Sequence, residues 1–137
     1  MDSKFGKAVV GGIVGALAMS AVGLWVAPMM GIAKMNPADL LAMKMGGVPV
    51  LGWIGHLMIG VILAVVYARF VASRLSGPPA IRGALFSIAP WLFAQLVMMP
   101  MMGMPVFSGA VSLAMGSLIG HIVYGLIVGA VVGVPAP

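Results

Sequence analysis

Residues 52–68 read GWIGHLMIGVILAVVYA, seventeen residues with one histidine and no charge. As a helix at 1.5 Å per residue the segment is about 25 Å long, close to the roughly 30 Å of hydrocarbon in a bilayer. A soluble amphipathic helix would show a charged face every three or four residues. Here the face that differs from the rest is made of small residues: Gly52, His56, Gly60 and Ala64 recur four apart, and the remainder is mostly Leu, Ile, Val and Met. The stretch is therefore a membrane span with a small-residue stripe around a histidine. It has a partner. GHIVYGLIVGAVVG, residues 120–133, sets Gly120-His121 with Gly125 and Gly129 where the first segment has Gly55-His56 with Gly60 and Ala64, at a constant offset of 65. His56 and His121 are the only histidines of the chain.

The rest of the 137 residues places both segments in a polytopic membrane protein. Hydrophobic residues make up 63% and charged residues 7%, against roughly 25% charged in soluble domains, so the chain cannot clothe itself in a wettable surface. Four runs free of Lys, Arg, Asp and Glu are long enough to span: about Ala8–Ala27, Val50–Ala68, Gly83–Met99 and Gly109–Val134. The first follows Lys4 and Lys7, and Ala16-Leu17-Ala18 resembles a signal-peptidase site. Its apolar run continues well past that site, so it is read as a retained span. The fold class expected is all-α, a single four-helix transmembrane domain over residues 1–137. The net charge of +5 comes from scattered cations that form no basic face, which excludes a nucleic-acid partner. The absence of cysteine excludes disulfides and thiolate chemistry.

Lys4, Lys7, Arg69, Arg74 and Arg82 fall at the N-terminus and in the second loop, while only Lys34 and Lys44 fall in the first. The excess predicts cytoplasmic termini in a bacterial inner membrane. The second loop, SRLSGPPAIR, is short and turn-rich, and predicts spans two and three as adjacent antiparallel neighbours. In the first loop, NPADLLAMKMGG starts with a capping Asn36, Pro37 at the first turn and Asp39 at the positive end of the dipole, and it stops at Gly46-Gly47. It predicts a short interfacial helix, with Leu40, Leu41, Met43 and Met45 towards lipid or the bundle.

The tetrapeptide Pro-Met-Met-Gly occurs twice, at 28–31 and 100–103, with most of the fourteen methionines in or beside the copies. Gly15-Ala16-Leu17 recurs as Gly83-Ala84-Leu85, and Gly55-His56 as Gly120-His121, in the same order. The pattern predicts two tandem two-helix repeats, about 8–68 and 83–134. Each repeat crosses the membrane twice, so the two would be parallel, related by a pseudo-two-fold axis along the membrane normal. Spans two and four would lie on a diagonal of the bundle. His56, seven residues after Pro49 and about 10 Å along the helix, would then face His121 in the outer half of the membrane, beside both methionine-rich segments.

Three chemistries suit that arrangement. In the first, the stripes are helix packing, with each histidine adding an interhelical hydrogen bond worth about 0.6 to 2 kcal/mol. In the second, His56 and His121 are axial ligands of a b-type haem, with Gly60, Gly125 and Ser117 around the ring and Ser117 orienting His121 from one turn away. At the place matching Ser117, Gly52 has only its carbonyl to offer His56. In the third, the thioethers of Met29, Met30, Met101 and Met102 join imidazole in holding copper. Small-solute transport is disfavoured by the lack of any acid in the spans. Pro90 beside Trp91 predicts a kink, Gln95 an interhelical donor, Trp25 and Trp53 interfacial anchors, and Tyr67 and Tyr124 hydrogen bonds in the bundle or at its edge. Asp2 and Asp39 are the only carboxylate side chains and neither has a base beside it, so catalysis by side chains is not expected.

The order of GIAKMNPADLLAMKMGG, GWIGHLMIGVILAVVYA, MPMMGMPVFSG and GHIVYGLIVGAVVG resembles a family of small bacterial four-span inner-membrane proteins of unknown function, related to the YagU-like proteins. The resemblance covers most of the chain and implies a histidine in spans two and four, with no settled activity. By elimination, the expected role is a non-enzymatic accessory or assembly subunit of a larger membrane complex. Its partners would be lipid, other membrane subunits or further copies of itself.

Overall fold

The computed structural model describes residues 3–134, which leaves Met1, Asp2 and the last three residues outside the described chain. Four helices are long and apolar enough to cross a membrane: span one, Ser3–Met29; span two, Pro49–Val71; span three, Pro79–Met101; and span four, Val111–Val132. The first three run past the apolar stretches read from sequence. Lys4, Lys7, Arg69 and Arg82 continue the helices beyond the uncharged segments rather than ending them. Span four is shorter than expected at both ends, because Gly109 and Gly133 take positive φ values of 71° and 76° and break the helix there.

The predicted loop helix is present as Pro37–Lys44, with the Asn36 side chain accepting from the Ala38 N–H at 3.1 Å. It packs flat on span two. Ala38 and Ala42 press against Gly52, where an added Cβ would collide with the loop-helix backbone. Leu40 and Leu41 turn towards the bundle interior, and Met43 is exposed.

Span one packs on spans two and four, and span four packs on span three. Spans two and three do not close on each other along their length. They meet near their connecting loop, where Tyr67 lies on Phe86 with ring centroids 5.3 Å apart and Arg82 donates to the Ala72 carbonyl at 2.8 Å. The short loop holds their ends together as antiparallel neighbours, and a cavity separates the halves away from it. The packed core sits at the loop end, around Ala8, Ala64, Tyr67, Tyr124 and Val128.

The two halves of the chain share local geometry. Span one widens to a π-helical turn at Val22–Val26 and span three at Ala94–Met98, 72 residues apart. After each, the turn closes with the same bonds: the Ile32 and Met104 N–H groups donate to the Ala27 and Met99 carbonyls, and Gly31 and Gly103 share φ near 78°. The paired spans also cross alike. Gly60 meets Gly12 and Ala16, as Gly125 meets Gly83 and Ser87. These contacts match Gly12 with Gly83 and Ala16 with Ser87. The likeness of Gly15-Ala16-Leu17 to Gly83-Ala84-Leu85 is thus out of structural register, a coincidence that glycine- and alanine-rich sequence readily produces.

Candidate functional site

Between spans two and three, away from their connecting loop, lies an open cavity of about 530 Å³, within the 300–1,000 Å³ usual for small-molecule sites. Its walls are overwhelmingly apolar: Met19 and Ala16 from span one, Ile59 and Leu63 from span two, Phe86, Pro90 and Phe93 from span three, and Leu40 and Leu41 from the loop helix. Both histidines line it, together with Gln95, Ser108, Ser117 and Tyr124.

His56 is buried, and its partners come from span one. Nε2 lies 3.0 Å from the Ala16 carbonyl and 3.0 Å from Ser20 Oγ. The Ser20 hydroxyl donates to Asn36 Oδ1 at 3.2 Å, and the same oxygen caps the loop helix. A carbonyl can only accept, so Nε2 carries the proton and Nδ1 holds a lone pair. Trp53 packs edge-on against the ring at 6.0 Å between centroids. It supports the imidazole from within the helix, whereas Trp25 is exposed on the outer surface.

His121 mirrors the logic with the opposite nitrogen. Nδ1 lies 2.8 Å from the Ser117 carbonyl and 3.4 Å from Ser117 Oγ. Here Nδ1 carries the proton and Nε2 the lone pair. Among the described residues neither remaining nitrogen has a hydrogen bond, and no sealed polar side-chain atom is left unpaired. Neither lone pair is therefore sealed off, and both rings line the cavity.

The other polar groups are occupied. Gln95, fully buried, donates from Nε2 to Ser117 Oγ at 3.2 Å and accepts from Ser108 Oγ at 2.9 Å. It lies within the π turn of span three, Ala94–Met98. Ser108 reaches it from a loop in which Phe107 and Ser108 both take positive φ, at 52° and 60°, an uncommon conformation for residues with a side chain. Trp91 ties span three to the Ala114 carbonyl at 3.0 Å. Tyr124 crosses the bundle to donate to the Gly60 carbonyl at 2.5 Å.

A four-span helical chain with this site and this order of segments has relatives. The chain belongs to the DUF6789 family, a family of unknown function. The family profile covers residues 3–137. No curated protein and no solved structure matches the chain.

In this DUF6789 member the sequence-derived residues divide clearly. His56, His121, Ser117, Gly60 and Met102 line one cavity. Gly125 does not; it is spent on the crossing with Gly83 and Ser87. Met29, Met30 and Met101 are 86%, 58% and 63% exposed on the outside of the bundle, so the four methionines named as copper ligands are not brought together. The thioethers that do line the cavity are those of Met19, Met35, Met98, Met99 and Met102. No cluster of three or more His, Cys, Asp or Glu occurs among the described residues. Sequence reasoning looked for the partner of His56 at Gly52, on its own helix, and missed Ser20 and Asn36. The signal was there: Ser20 is the sole hydroxyl in the apolar run of span one.

Proposed function

We propose that this chain is a non-enzymatic membrane protein that holds a lipophilic small molecule between spans two and three. The observation that carries this reading is the cavity itself, apolar, open between two spans, and furnished with two buried imidazoles whose tautomers are fixed by backbone carbonyls. Pre-oriented polar groups in an apolar cleft are what ligand sites share. An open flank lets a membrane-dissolved molecule enter without leaving the bilayer. An accessory role in a larger assembly is compatible with this reading, since the apolar exterior serves lipid and protein neighbours alike. The Lys and Arg distribution and the resemblance to YagU-like proteins support a bacterial inner membrane with cytoplasmic termini.

A haem held by two axial imidazoles has less support. His56 has Nε2 committed to Ala16 and Ser20 and offers only Nδ1, whose neighbouring ring carbon carries the main chain and crowds a flat macrocycle. Copper loses three of its four named methionines to the outer surface.

The test is native mass spectrometry of the protein released from a mild detergent, beside Ala94→Trp, which fills the cavity from span three. The expected result is a bound lipophile on the parent and none on the variant. Identical ligand-free spectra, or equal retention on both, would remove the reading.

A further inference from the structure

The two free nitrogens specify the ligand more narrowly than the cavity does. In each neutral ring one nitrogen donates and one accepts. The donating nitrogens are used inside the protein, His56 Nε2–H on the Ala16 carbonyl and His121 Nδ1–H on the Ser117 carbonyl. What each ring has left is a lone pair. Among the described residues no carboxylate and no cation lines the cavity, so no charge in those walls pairs with an imidazolium or with a ligand ion, and an ionic head group would go uncompensated in a low-dielectric space. The Tyr124 hydroxyl and both ends of the Gln95 amide are already bonded to the protein.

We propose that the site selects a neutral lipophile bearing two hydroxyl donors, one for His56 Nδ1 and one for His121 Nε2, with a hydroquinone head favoured; this rests on the ligand-holding reading above. The walls favour a flat ring. Phe86, Phe93 and Pro90 supply apolar faces, and Met19, Met98 and Met99 supply polarisable sulfur that packs well on aromatic edges. An aliphatic tail would leave through the opening between spans two and three. A monoacylglycerol also carries two hydroxyls, on adjacent carbons rather than across a ring, so the shared chemistry is the pair of hydroxyls. A ligand offering only carbonyl or ether oxygens meets two lone pairs with lone pairs, and must strip them of water without replacing the bond.

The experiment measures binding to the full chain in phosphatidylcholine nanodiscs, counted against empty nanodiscs, under anaerobic conditions. The probes are decylhydroquinone, its quinone, its dimethyl ether and a monoacylglycerol of similar length. The hydroquinone is expected to bind at least tenfold more tightly than the quinone or the ether. A monoacylglycerol stronger than the hydroquinone would keep the two-hydroxyl rule and move the source to glycerolipid. Two variants test the atoms. His56→Gln puts an amide N–H near the Nε2 position and His121→Asn puts one near Nδ1, so each keeps the donation to its backbone carbonyl while deleting the imine lone pair. Each is expected to reduce the preference for hydroquinone over ether about five- to tenfold, the worth of one neutral hydrogen bond. Ether or quinone binding as tight as hydroquinone binding would overturn the donor rule and leave the cavity reading standing. No binding of any probe would overturn both.

Discussion

Phe86 in span three takes the place that Gly15 takes in span one. In the register set by the crossings of Gly12 on Gly60 and Gly83 on Gly125, the two positions correspond, and so do Gly11 and Arg82. Gly15 lies against the Tyr124 ring, where an added Cβ would come within 2.8 Å, and span one closes on span four. A parallel two-fold would make spans three and two close in the same way. Phe86 instead projects a ring into the gap, packs on Tyr67 at 5.3 Å and lines the cavity. This difference between the two positions leaves the gap between spans two and three in which the site lies.

Gly15→Ala should therefore lower stability by about 1–3 kcal/mol, the usual cost of forcing a methyl into a packed contact. Phe86→Gly should cost packing against Tyr67 but reduce the cavity, as span three moves towards span two. Thermal unfolding in detergent checks the first. Loss of the bound mass in native spectra checks the second. A Gly15→Ala protein as stable as the parent would contradict the packing described here.

The crossings of the two repeats should respond alike. Gly60→Val and Gly125→Val each drive a branched side chain into the backbone of the neighbouring span, and each should abolish folding or cost more than about 3 kcal/mol. Expression and monodispersity in detergent measure this. A large effect at one site and none at the other would argue against equivalent crossings.

Ser20 links the His56 ring to the cap of the loop helix. Ser20→Ala should cost about 1 kcal/mol, and Asn36→Ala about 1–2 kcal/mol, because it removes a helix cap as well as the acceptor for Ser20. The double variant should cost less than the sum of the two singles, by roughly 0.5 kcal/mol or more, since the residues share one bond. A double-variant cycle on unfolding free energy reads that coupling, and strict additivity would show that the bond contributes nothing.

Gln95→Leu leaves the hydroxyls of Ser108 and Ser117 without their amide partner. The expected loss is about 1–3 kcal/mol, accompanied by greater mobility of the loop that holds Phe107 and Ser108 at positive φ. Hydrogen exchange across residues 104–110 reports it, and unchanged protection there would show that Gln95 does not hold the loop.

Topology follows from charge alone. Reporter fusions after Lys44 and after Ser76 should give opposite signals, with the Ser76 site cytoplasmic, because five cations flank that side and two the other. Equal signals at both sites would contradict the assignment.

The sequence by itself determined what is local to one helix. Apolar length fixes the four spans, Asn36 and Pro37 start the loop helix, and the four-residue spacing around His56 and His121 puts each ring on the small-residue face. Only tertiary structure decided which faces meet. Small residues mark a helix as able to pack closely without naming its partner, so the closure of spans one and four and the separation of spans two and three depend on whether glycine or Phe86 fills one position. The same limit hid the bond from His56 to Ser20 and misregistered the first and third spans. Gln95 could be read as a donor but not placed between Ser108 and Ser117, because both partners lie outside span three and only the packing of span four and its leading loop brings them there.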